Sequence, residues 1–413
     1  MTFYKKYDNG LRLIVHQIEG LMSVSSGILV KTGSRNESEE ENGISHFIEH
    51  VMFKGTKKRS AFQISDDIDS LGAQINAFTS KELTCYYTKS TAEHVEKTSE
   101  ILSDIFFNSV FDKTELEKEK GVVIEEINMS EDSPEDLCLD LIAEGYYGFD
   151  GLGRTILGTE KTVKSFDRKD VISYMQKYYN ADNIVLAFAG NIDPKKAQEI
   201  VEKYFLNNVS TKSSAQQKIQ GETFSKSVVK EKKIEQAHIA ICFPALKLFD
   251  ERSDALNIAN TIIGGGMSSR LFQKIREELG LCYSVYSYAS AYKDCGVFEV
   301  YGGVNASLRD KAYEEIINVL KTVKENGVTE KEFIRGKEQI KSSLIMSRES
   351  TASQMLLYGK YAIYADKEFD FTQKIKEIEA VTLEQVNDVI KSVLDFDKMT
   401  VASVGTNPVP IKI

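Results

Sequence analysis

No run of 18 apolar residues occurs anywhere in this 413-residue sequence, so no membrane-spanning helix is expected. The segment from Met1 to Gly10 has neither the apolar stretch nor the small-residue cleavage site of a signal peptide, and a cytoplasmic location is the expectation. The five cysteines, Cys85, Cys138, Cys242, Cys282 and Cys295, include no C-x-x-C pair and are odd in number, which argues against a disulfide framework and fits a reducing compartment. A basic excess is missing as well. Lys and Arg number 52 against 62 Asp and Glu, a formal net charge of −10. That balance argues against a nucleic-acid binder, which would carry a basic stripe, and favours neutral or basic partners.

What is present is an ordinary globular composition, 42% hydrophobic and 28% charged, in a chain long enough that two or more domains are expected. β-Branched and apolar residues between turn signals predict strands over Leu11 to Val15 and Val24 to Thr32, and a strand pair over Asn76 to Thr79 and Thr84 to Thr88. Helical periodicity runs from Ala61 to Leu71 and from Glu93 to Phe107, where Val95, Leu102 and Ile105 form a core-facing stripe. Alternating strands and helices point to α/β or α+β layers. Ser, Lys, Gln and Thr displace the aliphatics between about Asn207 and Ser227, so residues 211–227 are the linker candidate, between domains over 1–210 and 228–413. After the linker the order restarts: a strand over His238 to Phe243, a helix over Asp254 to Ile263, Gly264-Gly265-Gly266 and a further helix to Leu279. This suggests a diverged duplication.

The chemistry centres on His46-Phe47-Ile48-Glu49-His50. If Ile44 to Phe53 is a helix, residues four apart share a face, and the imidazoles of His46 and His50 stand side by side as a clamp for a metal. Glu49 projects near the same face, where its carboxylate can take a proton from a water that the metal has acidified and later deliver it to a leaving amine. The order is the inverse of H-E-x-x-H, and the chemistry is the same.

Two imidazoles leave a catalytic zinc site one protein ligand short. His16, His94 and His238 have no metal-like context, so a carboxylate is the natural third ligand. The acidic segment from Glu115 to Met129 is the most promising source: Leu116, Val123 and Ile127 make an apolar stripe, while Glu119 and Glu126, seven apart, share another face. One could ligate and the other support it. A Glu-rich helix is by itself usually a solvated face.

These residues resemble the pitrilysin or insulinase zinc peptidases, in particular the short-chain branch that includes the mitochondrial processing peptidase. The resemblance runs through Asn9-Gly10-Leu11, the segment from Gly43 to Thr56, Asn76-Ala77-Phe78-Thr79, the segment from Gly153 to Thr159, and Gly264 to Phe272. It implies an α+β fold of two similar halves, mainly antiparallel sheets covered by helices, with a zinc-binding catalytic domain first and a C-terminal domain that holds substrate. It implies one Zn2+ per chain, with Glu126 as third ligand, 76 residues after His50, Glu119 as an assisting glutamate, and Glu125 as the fallback ligand if the register slips. Arg276 would grip a substrate carbonyl, and Tyr283 would donate to the oxyanion. An edge strand carrying Asn76, Ala77, Phe78 and Thr79 would pair with an extended peptide almost regardless of its sequence. A chain of this length matches half of the long-chain members, so a homodimer is implied.

The rival function is a non-catalytic structural or partner subunit of a processing-peptidase-like assembly. Such members usually lose a motif residue, whereas His46, Glu49, His50, Glu126, Arg276 and Tyr283 are all present. Gly264-Gly265-Gly266 is not followed by the lysine of a phosphate loop. A thiol enzyme built on Cys282 or Cys85 lacks a neighbouring histidine, and burial in strands is the expectation for both.

Overall fold

The computed structural model describes residues 1–149, 151–211, 221, 223–406 and 408–411. The chain forms two compact units. The first comprises residues 1–127, 155–218 and 347–369, and the second 128–154, 219–346 and 370–413. Residues 128–154 therefore lie with the second unit and 347–369 with the first, so that each of the contiguous ranges expected from sequence, 1–210 and 228–413, is crossed by one segment. Most of the linker range 211–227 falls outside the described residues.

The first unit is built on strands β1 (Thr2–Lys6), β2 (Arg12–Gln17), β3 (Ser23–Val30), β4 (Gln74–Thr79), β5 (Thr84–Thr91) and β6 (Ile184–Gly190), in sheet order β1-β2-β6-β3-β5-β4. The β2–β6 pair is parallel and the rest antiparallel. Its helices are α1 (Ile44–Val51), α2 (Ala61–Ser70), α3 (Val95–Asn108), the first part of α4 (Lys113–Asp132), α6 (Glu160–Ser165), α7 (Arg168–Tyr178), α8 (Pro194–Tyr204) and, from late in the chain, α12 (Thr351–Ala365); α5 (Pro134–Tyr147) lies in the second unit. Side chains alternate across a strand, and β3 displays the two layers they meet. Ser25 bonds Thr351 of α12, and Gly27 and Leu29 face the same helix, while Ser26 bonds Ser99 of α3. Covered on both faces, β6 is buried throughout and reads as a continuous apolar run, as parallel strands do. A Cβ on Gly359 of α12 would stand 2.7 Å from Leu29, so glycine sets that close helix-to-sheet approach.

The second unit repeats the frame. Strands β7 (Ser227–Glu231), β8 (Gln236–Pro244), β9 (Cys282–Ala291), β10 (Gly296–Asn305) and β11 (Thr400–Gly405) are ordered β7-β11-β8-β10-β9, with only β7–β11 parallel. Ala240, Cys242, Ala402 and Val404 pack against Leu137, Cys138 and Ile142 of α5. Ile239, Ile241, Phe243 and Val401 pack on the other side against α9 (Ser253–Ile263), α10 (Arg309–Asn326) and α14 (Leu383–Val393). The remaining helices are α11 (Glu330–Met346), α13 (Phe371–Ala380) and a π-helix over Phe272–Glu278, where the sequence suggested an ordinary helix to Leu279.

Matching β2-β3-β4-β5-β6 to β7-β8-β9-β10-β11 reproduces order and direction in full. The structure is thus the α+β pair of similar halves that the resemblance implied, with mixed, mainly antiparallel sheets. Among the described residues no helix is long and apolar enough to cross a membrane.

Candidate metal centre

Helix α1 carries the motif, and its sequence divides cleanly. Ile44, Phe47, Ile48 and Val51 are buried on one face, which leaves His46, Glu49 and His50 on the other. Its start has a special device. Gly43 is left-handed at φ 93° and provides no side-chain cap. The carboxylate of Glu37, from outside the helix, accepts from Gly43 N (2.8 Å), Ser45 N (2.9 Å) and Asn42 Nδ2 (3.2 Å), satisfying donors a helix start leaves open. Burial pushes the Glu37 carboxyl up to about 7, against these hydrogen bonds, which pull it down. A Cβ on Gly43 would lie 2.6 Å from Leu157 O, so the glycines of the two motif segments, Gly43 and Gly158, meet backbone to backbone.

Helix α4 supplies the acids. Leu116, Val123 and Ile127 are buried as the apolar stripe predicts, which turns Glu119 and Glu126 toward α1. Glu126 Oε2 lies 3.4 Å from His46 Nε2 and 3.4 Å from His50 Nε2. The ligating atoms of His46, His50 and Glu126 all fall within 4.8 Å of one another. The imidazole centroids are 4.6 Å apart, and His46 Nδ1 is buried without a hydrogen-bond partner. Burial, and then the neighbouring His50, lower His46 to about 4, keeping it neutral and able to donate a lone pair. Two neutral-capable imidazoles and a carboxylate are the donor set of a catalytic zinc site with one position open. The residues fit a divalent metal.

Glu49 stands beside this group. Its Oε2 accepts from Thr79 Oγ1 at 2.6 Å, and burial raises its pKa while that bond opposes the rise. Glu119 Oε2 is 3.7 Å from His50 Nδ1 and its Oε1 is 2.8 Å from Lys54 Nζ. Glu125, the fallback ligand, is exposed.

The strand expected to receive substrate, β4, forms the edge of its sheet, paired among the described residues with β5 alone. Asn76 is exposed, Ala77 half-buried, and Phe78 packs edge-on to Tyr87. The hydroxyl of Thr79 donates to Glu49. In the second unit Arg276 sits on the π-helix with its guanidinium 4.8 Å from the Phe272 ring and 4.6 Å from that of Tyr283, which is 76% exposed. The other histidines are accounted for locally: His16 stacks on Tyr358, His238 bonds Tyr301, and His94 lies beside Glu93. Cys85 is buried in β5 and Cys282 half-buried at the start of β9, and none of the five cysteines is in a disulfide. Sequence reasoning missed Glu37, whose capping role has no local signature. It also gave no role to Lys54, although its place one helical turn after His50 was a usable signal.

Two similar α+β units are present, one bearing a histidine pair and a distant glutamate close enough together to hold a metal ion. Comparison with known proteins is consistent with this. Residues 14–160 match the family model described as insulinase (peptidase family M16), and residues 165–340 match the M16 inactive domain. The chain is 43% identical over 395 residues to the uncharacterized zinc protease YmxG of Bacillus subtilis, covering 95% of this chain and 96% of that one. An uncharacterized zinc protease of Streptomyces coelicolor is 36% identical, with 93% and 85% covered. In fold, an M16 inactive domain from Pseudomonas fluorescens superposes with TM-score 0.92 over the whole of both chains at 18% identity, and a Helicobacter pylori protease with 0.90 over 98% and 99% at 21%. The chain belongs to the insulinase, or pitrilysin-type, M16 peptidase family.

Proposed function

We propose that this chain is a zinc-dependent endopeptidase for unfolded or short peptides. The observation that carries the reading is the convergence of His46 Nε2, His50 Nε2 and the Glu126 carboxylate within 4.8 Å, beside the free face of Glu49. His46, His50 and Glu126 would hold one Zn2+, and Glu119 would support His50. When bound, zinc supplies Lewis acidity, polarising a carbonyl and making water acidic enough to ionise near neutral pH.

The chain's own groups do the rest. Glu49, with Oε2 held by Thr79, takes the proton of the attacking water and returns it to the leaving nitrogen. Burial of Glu49 favours the proton-accepting step by weakening its hydration. The edge of β4, with Asn76, Ala77, Phe78 and Thr79, binds an extended substrate through main-chain hydrogen bonds, so selectivity for sequence is broad. Arg276 grips a substrate carbonyl and Tyr283 donates to the developing oxyanion, as the family resemblance implies. The first unit is thus the zinc-binding catalytic domain and the second the substrate-holding one. The working form we propose is a cytoplasmic homodimer of the processing-peptidase-like branch.

One observation favours a second reading, a non-catalytic partner subunit: the model matching residues 165–340 is described as an inactive domain. The motif residues of the first unit oppose it. Hydrolysis of a quenched peptide by the zinc-loaded chain, absent in Glu49→Gln, supports the peptidase; equal rates in both reject it.

A further inference from the structure

Lys54 follows the motif helix and has no assigned part in the chemistry. Its surroundings are unusual for a surface lysine. Its Nζ lies 2.8 Å from Glu119 Oε1, and the side chain of Glu119 is only 6% exposed. The other oxygen of the same carboxylate, Oε2, faces His50 Nδ1 at 3.7 Å, beyond hydrogen-bond length, so their interaction is electrostatic. Lys54 is four residues, about one helical turn, beyond His50. Both therefore reach the same acid on α4, one from each side.

We propose that Lys54 is a positioning residue of the metal centre: it fixes and neutralises Glu119, which in turn holds His50 with its Nδ1–H toward Glu119 and its Nε2 lone pair toward Glu126. The inference rests on the metal site proposed above. Three physical points carry it. A carboxylate as buried as Glu119 needs a counter-charge, and Lys54 lies against it. Anchoring Oε1 leaves the carboxylate little freedom to turn, so Oε2 stays on the histidine side. A carboxylate facing Nδ1 favours the tautomer protonated there, which presents Nε2 as a lone pair, and a nearby carboxylate is the usual support for a metal-binding histidine. His46 has no such support, because its Nδ1 is buried without a partner. The two imidazoles are thus held differently, His46 by packing and His50 by a charged relay that ends at Lys54. An ion pair between exposed partners would contribute almost nothing; this one differs because its acid is buried against a metal-site histidine.

The test is zinc affinity by chelator competition on the full-length chain, which does not depend on activity. Lys54→Met keeps the aliphatic stem and removes the charge. It is expected to weaken zinc binding about tenfold or more, the usual effect of losing an outer-sphere partner, while the zinc-free protein still folds but melts below wild type, because the buried Glu119 carboxylate has lost its counter-charge. Lys54→Arg should restore most of the affinity. Lys54→Met combined with Glu119→Gln should bind no more weakly than Glu119→Gln alone, because both act through one relay. Should Lys54→Met fail to fold, Lys54→Gln and the Arg variant carry the same comparison. Wild-type affinity in the uncharged variants, or losses that add in the double variant, overturns the inference and leaves the metal site standing. A wild-type chain that holds no zinc overturns the metal site itself, and the inference with it.

Discussion

The two units share one strand order and one pattern of strand directions, yet the α-helices that follow the second strand of each frame carry different polar faces. In the first unit α1 buries Ile44, Phe47, Ile48 and Val51 and leaves His46, Glu49 and His50 on the face toward α4. In the second, α9 occupies the corresponding place after the second strand of the frame and buries Ala255, Leu256, Ile258, Ala259, Ile262 and Ile263, while Ser253, Asp254, Asn257, Asn260 and Thr261 line its other face without a histidine or a glutamate among them. Each helix buries one apolar face, and the residues on the opposite face decide whether it can present chemistry. The duplicated frame therefore supplies position alone, and a handful of polar residues on one helix face decides which copy holds the site.

That contrast can be broken from either side. On the first unit, Glu49→Gln should lower peptide hydrolysis by roughly 10²- to 10⁴-fold with zinc content intact, the range for loss of a positioned general base; a quenched-peptide assay beside metal analysis checks both halves. On the second unit, Tyr283→Phe should reduce kcat by about 10²- to 10³-fold, the effect of removing one oxyanion donor. If the units of two chains cooperate, mixing it with Glu49→Gln should recover activity, and stable heterodimers that recover none would count against a shared site. In the helix that lacks the motif, Ile258→Ala should cost about 2 to 5 kcal/mol of stability, read from denaturant unfolding, and leave zinc affinity unchanged.

The smallest effect expected concerns the cap of α1. Because burial lifts the folded Glu37 carboxyl from 4.5 to about 7, the folded state binds that proton more tightly than the unfolded chain does. Its contribution to stability is then greatest below about pH 4.5 and falls as pH rises toward 7, by up to about 3 kcal/mol. Glu37→Gln should flatten stability between those pH values, and an unchanged slope in chemical unfolding would exclude Glu37 as its source.

The parts of this arrangement that sequence exposes are those set by neighbours along the chain. His46, Glu49 and His50 share a face because of helical spacing, and the stripe of Leu116, Val123 and Ile127 puts Glu119 and Glu126 together on another face without deciding which glutamate would ligate. Choosing Glu126 as the partner of a motif 76 residues away took a family resemblance, because no local pattern reports a distant approach. The same limit hides Glu37 as the cap of α1 and Thr79 as the partner of Glu49. It also explains the crossed segments: the apolar faces of α5 and α12 announce that each helix is buried, but either sheet could satisfy that need. The duplication left only a hint in the sequence because strand order survives when nearly every side chain has changed.

Metal capture by one helix pair in the first unit underlies every role proposed for the site. Equilibrium zinc titration of the purified chain should give one ion per chain, with capture lost in His46→Ala, His50→Ala and Glu126→Gln and retained in Glu125→Gln. Undiminished stoichiometry and affinity in the first three variants, or peptide hydrolysis that persists in strong chelator, would contradict it.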